Sequence, residues 1–348
     1  MDTTFSEVVK KVIAYYPIKV KDIYLLSFKG KKAVWSIETN IGELILNFVP
    51  FHDDHITFMV YVIDHLRNNG VYTPDVIKTK TGEKFLKLDN EYFVVFEAVH
   101  GRSPEYEHEN ELMMILKGMA IFHKASKGIE SPTGSFPSFL LTEWKSDFKR
   151  RYERLVALKE QVLQAAEHNQ FDQLFLQNVD TFLSHCQTAM TKLEHPAFDS
   201  WIEQTKVAKT LCHQDYAAGN LLIGEDGNLY VYDMDSLTVD LPIRDMRKIL
   251  NKVMKKETAW DLERMIKMMK AYQEENPLTE EQYHIFAAEL LFPHLFYGQV
   301  TKYYEKREAK WTFHKHISKL NDMIATEQSK ISVIQGFLYR LDEVIGND

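Results

Sequence analysis

Only two cysteines, Cys186 and Cys212, occur in 348 residues, which excludes a disulfide framework and any clustered thiolate spacing for a metal. A reducing compartment is the expectation that follows. No apolar run approaches the ~20 residues of a membrane-spanning helix. The opening MDTTFSEVVKKVIAYYP is a short amphipathic segment without the unbroken apolar region of a signal peptide, so cytosolic synthesis without a membrane span is expected. Basic residues are in the minority, 42 Lys and Arg against 50 Asp and Glu for a formal net charge of −8, and they are scattered among acids. Without a basic stripe, nucleic acid is not an expected partner. Internal repeats, low-complexity tracts and long linkers are lacking as well.

What is present is a globular composition, 45% apolar and 26% charged, in a chain longer than the ~250 to 300 residues at which single cores stop growing. Two lobes are expected. From Ile23 to about Phe96, short β-branched and aromatic runs such as YLLSF, AVWSIET, GELILNFVP and EYFVVFEAV alternate with Gly, Asn and Asp punctuation. One helical period interrupts them, with Ile56, Met59, Val60, Ile63 and Leu66 on a stripe that stops at Gly70. The first lobe, residues 1–99, therefore reads β-β-β-α-β-β. Beyond HGRSP, long helical patterns take over, as in ENELMMILKGMAIFHKAS and WKSDFKRRYERLVALKEQVLQAAE, so residues 100–348 read as a mainly helical lobe. Within it, KTLCHQDYAAGNLLIGEDGNLYVYDMDS breaks into extended pieces around the Asp-Gly turn of EDGN, the signal of a hairpin. The predicted fold class is α+β and bilobed, with a small mostly antiparallel sheet and a larger helical lobe that share a cleft.

The segment HQDYAAGN, residues 213–220, heads that hairpin. Magnesium-dependent phosphoryl transfer needs a carboxylate near the attacking hydroxyl and hard oxygen ligands against the transferred phosphates. Asp215 can be the carboxylate, while Asn220 and Asp233, from opposite ends of one hairpin, can converge on one ion. Asp233 and Asp235 are two apart and would share a face if that stretch is extended; the role of Asp235 stays open. His213 reads as a packed structural histidine, because Asp215 is the better placed base. Each residue alone has an ordinary explanation as a turn former, but the combination is a specific multi-part pattern.

HQDYAAGN followed by YVYDMD resembles the catalytic and metal-binding segments of the aminoglycoside phosphotransferase and choline kinase branch of the protein-kinase-like fold. More closely, YVYDMDSLTVDLPIRDMRKIL, ELLFPHLFYGQVTKYYEK and GVYTPDVIKTKTGEKFLKLDNEYFVVFEAVHGR are similar to the CotS-like spore coat proteins of endospore-forming bacilli. The resemblance covers essentially the whole chain. It implies a spore coat component made in the mother-cell cytoplasm, with other coat proteins and a small-molecule acceptor as partners and ATP with Mg2+ as cofactors. It also implies that Asp215 is the catalytic base, that Asn220 and Asp233 are the metal ligands, and that His213 and Asp245 support the catalytic loop. By the same resemblance, Glu97, Ala98 and Val99 form the hinge that meets the adenine, and His123 lies on a helix near the loop, where an apolar face makes it read as packed.

The pattern departs from the family at the third strand, where the expected phosphate-binding lysine position is Asn47, in ELILNFVP. Alternation puts Ile45, Asn47 and Val49 on one face, so Asn47 can face the cofactor without supplying charge. The helix turn that should offer the lysine's glutamate partner reads Phe58, Met59, Val60, and Asp64 lies further along. The first loop, SFKGKKAVW, has no clustered glycines, and its Lys29, Lys31 and Lys32 are either solvated or replacements for the missing cation. Two readings remain open: a phosphotransferase acting on a small-molecule hydroxyl, and a non-catalytic coat protein that keeps the kinase shape. The interval between Asp233 and Asp245 is too short for the regulatory loop of a protein-substrate kinase. Trp260, Tyr272 and Tyr297 could box a cationic acceptor, although aromatics on amphipathic helices are more often core.

Overall fold

The computed structural model describes residues 3–29, 32–50, 52–255 and 259–346, with side chains of the first helix from Glu7 onward. The fold is α+β, and the chain forms two compact units. Met1–Glu105, Ala125–Ser138 and Ala218–Leu237 make the first; Tyr106–Lys124, Phe139–Ala217 and Thr238–Asp348 make the second. The segment 213–220 is thereby divided, its first five residues in one unit and its last three in the other.

In the first unit, helix α1 (Thr3–Ile13) precedes strands β1 (Val20–Lys29), β2 (Lys32–Thr39) and β3 (Gly42–Val49), helix α2 (Asp53–Asn68), and strands β4 (Leu86–Leu88) and β5 (Glu91–Glu97). The sheet order is β1-β2-β3-β5-β4, antiparallel throughout. Register follows from burial. Ala33, Trp35 and Ile37 stand opposite Phe48, Leu46 and Leu44, and this face packs with Val9, Val12, Ile13 and Tyr16. The alternate residues, Val34 opposite Asn47 and Ser36 opposite Ile45, point to the other face, because strand side chains have a period of two.

Local chemistry sets the ends of these elements. Helix α2 closes as the Gly70 signal predicts: Gly70 takes φ +87°, Val71 N–H donates to Leu66 O at 3.0 Å, and Gly70 N–H donates to Arg67 O at 3.2 Å. This pair of bonds satisfies the last helical carbonyls and needs the left-handed conformation that glycine adopts without strain. The hairpin strands Leu221–Gly224 and Leu229–Val231 turn at Asp226-Gly227, also as expected, and the first of them pairs with β6 (Gly101–Arg102). A Cβ on Gly101 would lie 2.1 Å from Ile223 O, so only glycine lets these backbones meet.

The second unit is helical: α3 (Glu109–Ala125), α4 (Trp144–Leu163), α5 (Gln170–Leu193), α6 (Pro196–Ala208), α7 (Ile243–Met254), α8 (Leu262–Glu275), α9 (Glu280–Leu291), α10 (His294–Tyr304), α11 (Phe313–Tyr339) and α12 (Asp342–Ile345). Capping boxes start α5 and α9, where Asn169 with Asp172 and Thr279 with Gln282 satisfy the first free N–H groups. Phe182 and Phe296 (ring centroids 4.3 Å apart) and Phe148 and Phe292 (4.2 Å) lock α4, α5 and the α9–α10 region together. Cys186 and Cys212 are buried free thiols. No helix among the described residues is long and apolar enough to cross a membrane.

Candidate phosphotransfer site

The second unit holds His213, Asp215 and Asp245. Leu211–Cys212 pairs with Thr238–Val239, and the chain then turns sharply at Gln214, whose φ of +70° is rare for a side chain of its kind. Such a conformation costs about 1–3 kcal/mol and persists only where surroundings over-determine it. Here they do. Buried Asp245, in the first turn of α7, accepts His213 N–H on Oδ2 at 2.7 Å and Gln214 N–H on Oδ1 at 3.0 Å. One helical turn on, Lys248 donates to Gln214 O and to Gln214 Oε1, each at 2.6 Å.

A buried chain of polar groups backs Asp245. Asn276 Nδ2 donates to the Tyr272 hydroxyl at 2.8 Å, so the hydroxyl is directed to donate to His123 Nδ1, also 2.8 Å away. This assigns the proton of His123 to Nε2, which donates to Asp245 Oδ2 at 3.3 Å. Burial alone would raise the Asp245 carboxyl, but the His123 hydrogen bond and the nearby charges, Lys248 among them, hold it below the ordinary aspartate value. His213 is fully buried between the rings of Phe122 and Tyr216, and its Nδ1 accepts Asp215 N–H at 3.3 Å. Both histidines are packed and hydrogen-bonded, as their sequence settings suggest. Asp215 is directed outward, its side chain 61% exposed, with Lys252 Nζ at 2.8 Å from Oδ1. His123, Cys212 and Asp245 lie close together, and both Asp245 oxygens accept hydrogen bonds from the loop backbone.

The first unit holds Asn220, Asp233, Asn47 and the segment Glu97–Val99. Tyr232 N–H donates to Asn220 O at 3.2 Å and the Tyr232 hydroxyl to Gly219 O at 2.7 Å, which brings the backbones leading to Asn220 and Asp233 together at the base of the hairpin. The stretch through Asp235 is not extended. The strand ends at Val231, Asp233 adopts a left-handed φ of 60°, and Met234–Ser236 form a 3-10 turn. An aspartate tolerates that conformation because its short side chain bonds locally. Asp233 and Asp235 still meet a common partner: Lys32 Nζ bonds to Asp235 and lies 3.9 Å from Asp233. Burial, then the charge of Asp233, pushes Asp235 up to about 6 against the pull of Lys32. Burial opposes the charge on Lys32, but Asp235 and Asp233 outweigh it and raise that ammonium above the ordinary lysine value.

Asp233 and Asp235 carry hard carboxylate oxygens, the donor class that magnesium prefers, and both face the Lys32 ammonium. Asn47 sits on the sheet face opposite the α1 core, and its buried Oδ1 has no hydrogen-bond partner among the described residues. Phe58, Met59 and Val60 of α2 are buried, and Asp64 is paired with Lys84, so it is not waiting for a cation near Asn47. Of the three first-loop lysines, Lys31 lies outside the described residues. Glu97 ends β5 and Ala98 and Val99 follow it, Ala98 N–H donates to Glu43 O at 3.2 Å, and the segment lines a cavity of about 630 Å3 with Arg67, Tyr72 and Tyr230. Tyr272 is committed to His123, Trp260 lies against Lys330, and Tyr297 against Arg151, so these aromatics have separate structural partners.

Sequence reasoning missed Lys248 and Lys252, although the signal was present: Asp245, Lys248 and Lys252 recur at helical spacing on α7 and reach the turn from one side. It also left Lys32 undistinguished from its neighbours.

Known structures share this fold. An aminoglycoside phosphotransferase from Alicyclobacillus acidocaldarius subsp. acidocaldarius superposes with a TM-score of 0.79 at 16% identity, over 97% of this chain and 96% of that one. The amicoumacin kinase hAmiN, solved with AMP-PNP, Ca2+ and Ami, gives 0.64 at 14% identity over 96% and 95%. Spore coat protein S of Bacillus subtilis (strain 168) is 29% identical over 339 residues, 97% of this chain and 95% of its own. With a kinase-like fold and this relative in common, the match of residues 11–337 to the family described as "Spore coat putative kinase YutH" completes the assignment: the chain belongs to that spore coat family.

Proposed function

We propose that this coat-family protein transfers phosphate from Mg-ATP to the hydroxyl of a small molecule. Asp215 accepts the hydroxyl proton, Asn220 and Asp233 hold the metal, and Asp245, with His213, keeps Asp215 in place. Glu97, Ala98 and Val99 meet the adenine, and Asn47 lies on the nucleotide side of the sheet. Bound magnesium would supply charge neutralisation of the transferred phosphate oxygens. The protein is made in the mother cell and joins other coat proteins.

One observation carries this reading. Gln214 is held left-handed by a buried carboxylate and a lysine, with the effect that the next residue, Asp215, is presented outward. A merely structural loop gains nothing from that strain. The alternative, a non-catalytic coat scaffold, is favoured by Asn47 and by the buried Phe58–Val60 turn, which lack the charged pair of active relatives of the fold. Titration calorimetry of ATP with and without magnesium, on the wild type and Asp233→Ala, separates the two. Micromolar magnesium-dependent binding that the variant loses supports transfer. No binding into the millimolar range leaves the scaffold.

A further inference from the structure

A lysine lies one strand away from the neutral position on the third strand. Asn47 stands directly opposite Val34 in the β2–β3 ladder, and Lys32 is two residues from Val34 on the same strand. Lys32 and Asn47 therefore project from the same face as diagonal neighbours, about 7–8 Å apart and within reach of a long side chain. Lys29, in β1, lies one strand further out. The Lys32 side chain is 44% exposed, so it can turn without first leaving a packed core.

Charge counting says what it does there. One ammonium facing Asp233 and Asp235 leaves the group one positive charge short, whereas a divalent cation on the same carboxylates would balance both and release the lysine. On that face, Asn47 Oδ1 is an acceptor with no donor among the described residues. We propose that Lys32 is the phosphate-anchoring cation of this chain: it pairs with Asp233 and Asp235, and turns onto the α and β phosphate oxygens of a nucleotide, steadied by Asn47 Oδ1, once a divalent cation occupies those carboxylates. Bringing the cation from β2 reconciles the neutral third strand with phosphate binding. This rests on the phosphotransferase reading above.

Calorimetry on the full chain with MgADP and, separately, adenosine tests it, using the wild type, Lys32→Ala, Lys32→Gln and the double variant Lys32→Ala with Asn47→Lys. Loss of one charge-assisted contact predicts MgADP binding weakened about 10- to 100-fold in both single variants, with adenosine binding unchanged. Placing lysine at 47 should recover part of the MgADP affinity. Lys32→Gln keeps a polar side chain only one atom shorter and removes the charge, so it stands in if Lys32→Ala misfolds. A wild type that binds MgADP alongside single variants within twofold of it overturns the role of Lys32 and spares the phosphotransferase reading. Equal weakening of MgADP and adenosine makes Lys32 a structural residue and also overturns the proposal. A wild type that binds neither ligand overturns the phosphotransferase reading itself, and this proposal with it.

Discussion

Replacing Asp245 by asparagine changes one atom and should loosen the loop that presents Asp215. Three donors converge on that carboxylate: His213 N–H and His123 Nε2–H on Oδ2, and Gln214 N–H on Oδ1. Asparagine offers one acceptor oxygen and a donor amide. If the oxygen keeps the two histidine contacts, its NH2 confronts Gln214 N–H, the donor at the strained left-handed residue. If it is flipped, the two histidine donors face NH2 instead. His123 could escape by changing tautomer, but its Nδ1–H would then oppose the Tyr272 hydroxyl, which already accepts from Asn276. No arrangement satisfies every group. An unpaired buried donor together with weakened charge-assisted bonds costs about 2–4 kcal/mol, and the side chain is isosteric, so no cavity confuses the result. At 1.4 kcal/mol per decade, exchange of the Gln214 amide with solvent should accelerate about 30- to 1,000-fold, measured by hydrogen exchange of the wild type and Asp245→Asn under identical conditions. Acceleration of less than threefold would show that Asp245 does not hold the turn, and the carrying observation for catalysis would fall.

Two further expectations concern stability. In the helical unit, burial would raise Glu289, but His294 and Arg247 hold it down to about 2, while burial, aided by Arg247, takes His294 down to about 3. Both folded values lie below ordinary ones, so the unfolded chain binds more protons and stability is lost as pH falls, through the window from about 6.5 to 3 for His294 and from about 4.5 to 2 for Glu289. The melting temperature should therefore drop between pH 7 and pH 4, and less steeply in His294→Gln; a flat profile contradicts the assignment. Gly101→Ala should destabilise by about 1–3 kcal/mol, since its Cβ would meet Ile223 O at 2.1 Å; an unchanged thermal melt would show that β6 can shift away.

Much of the architecture was legible because it is written in short-range chemistry. The period-two alternation of GELILNFVP separates Asn47 from Leu44, Leu46 and Phe48, and in the structure those three pack in the α1 core while Asn47 takes the other face. Gly70 and the Asp-Gly of EDGN mark an end and a turn because left-handed backbone is easy for glycine. The course of Asp233–Asp235 is not legible for a related reason: two acids spaced by one residue look alike in a strand and in a tight turn, and the turn begins where the hairpin pairing stops at Val231.

By itself, the chain's order of residues determined the strand alternation, the helix stops and the grouping of His213, Asp215 and Asn220 in one loop, since each depends on neighbours a few positions away. Which lysine serves Asp235, and which carboxylate braces Gln214, was decided only in the folded molecule. Lys32 and Asp235 are 203 positions apart, and Asp245 lies 31 beyond Gln214. Electrostatic and hydrogen-bond energies depend on distance through space, and at those separations it is the packing of strands and helices, rather than spacing along the chain, that sets the distance.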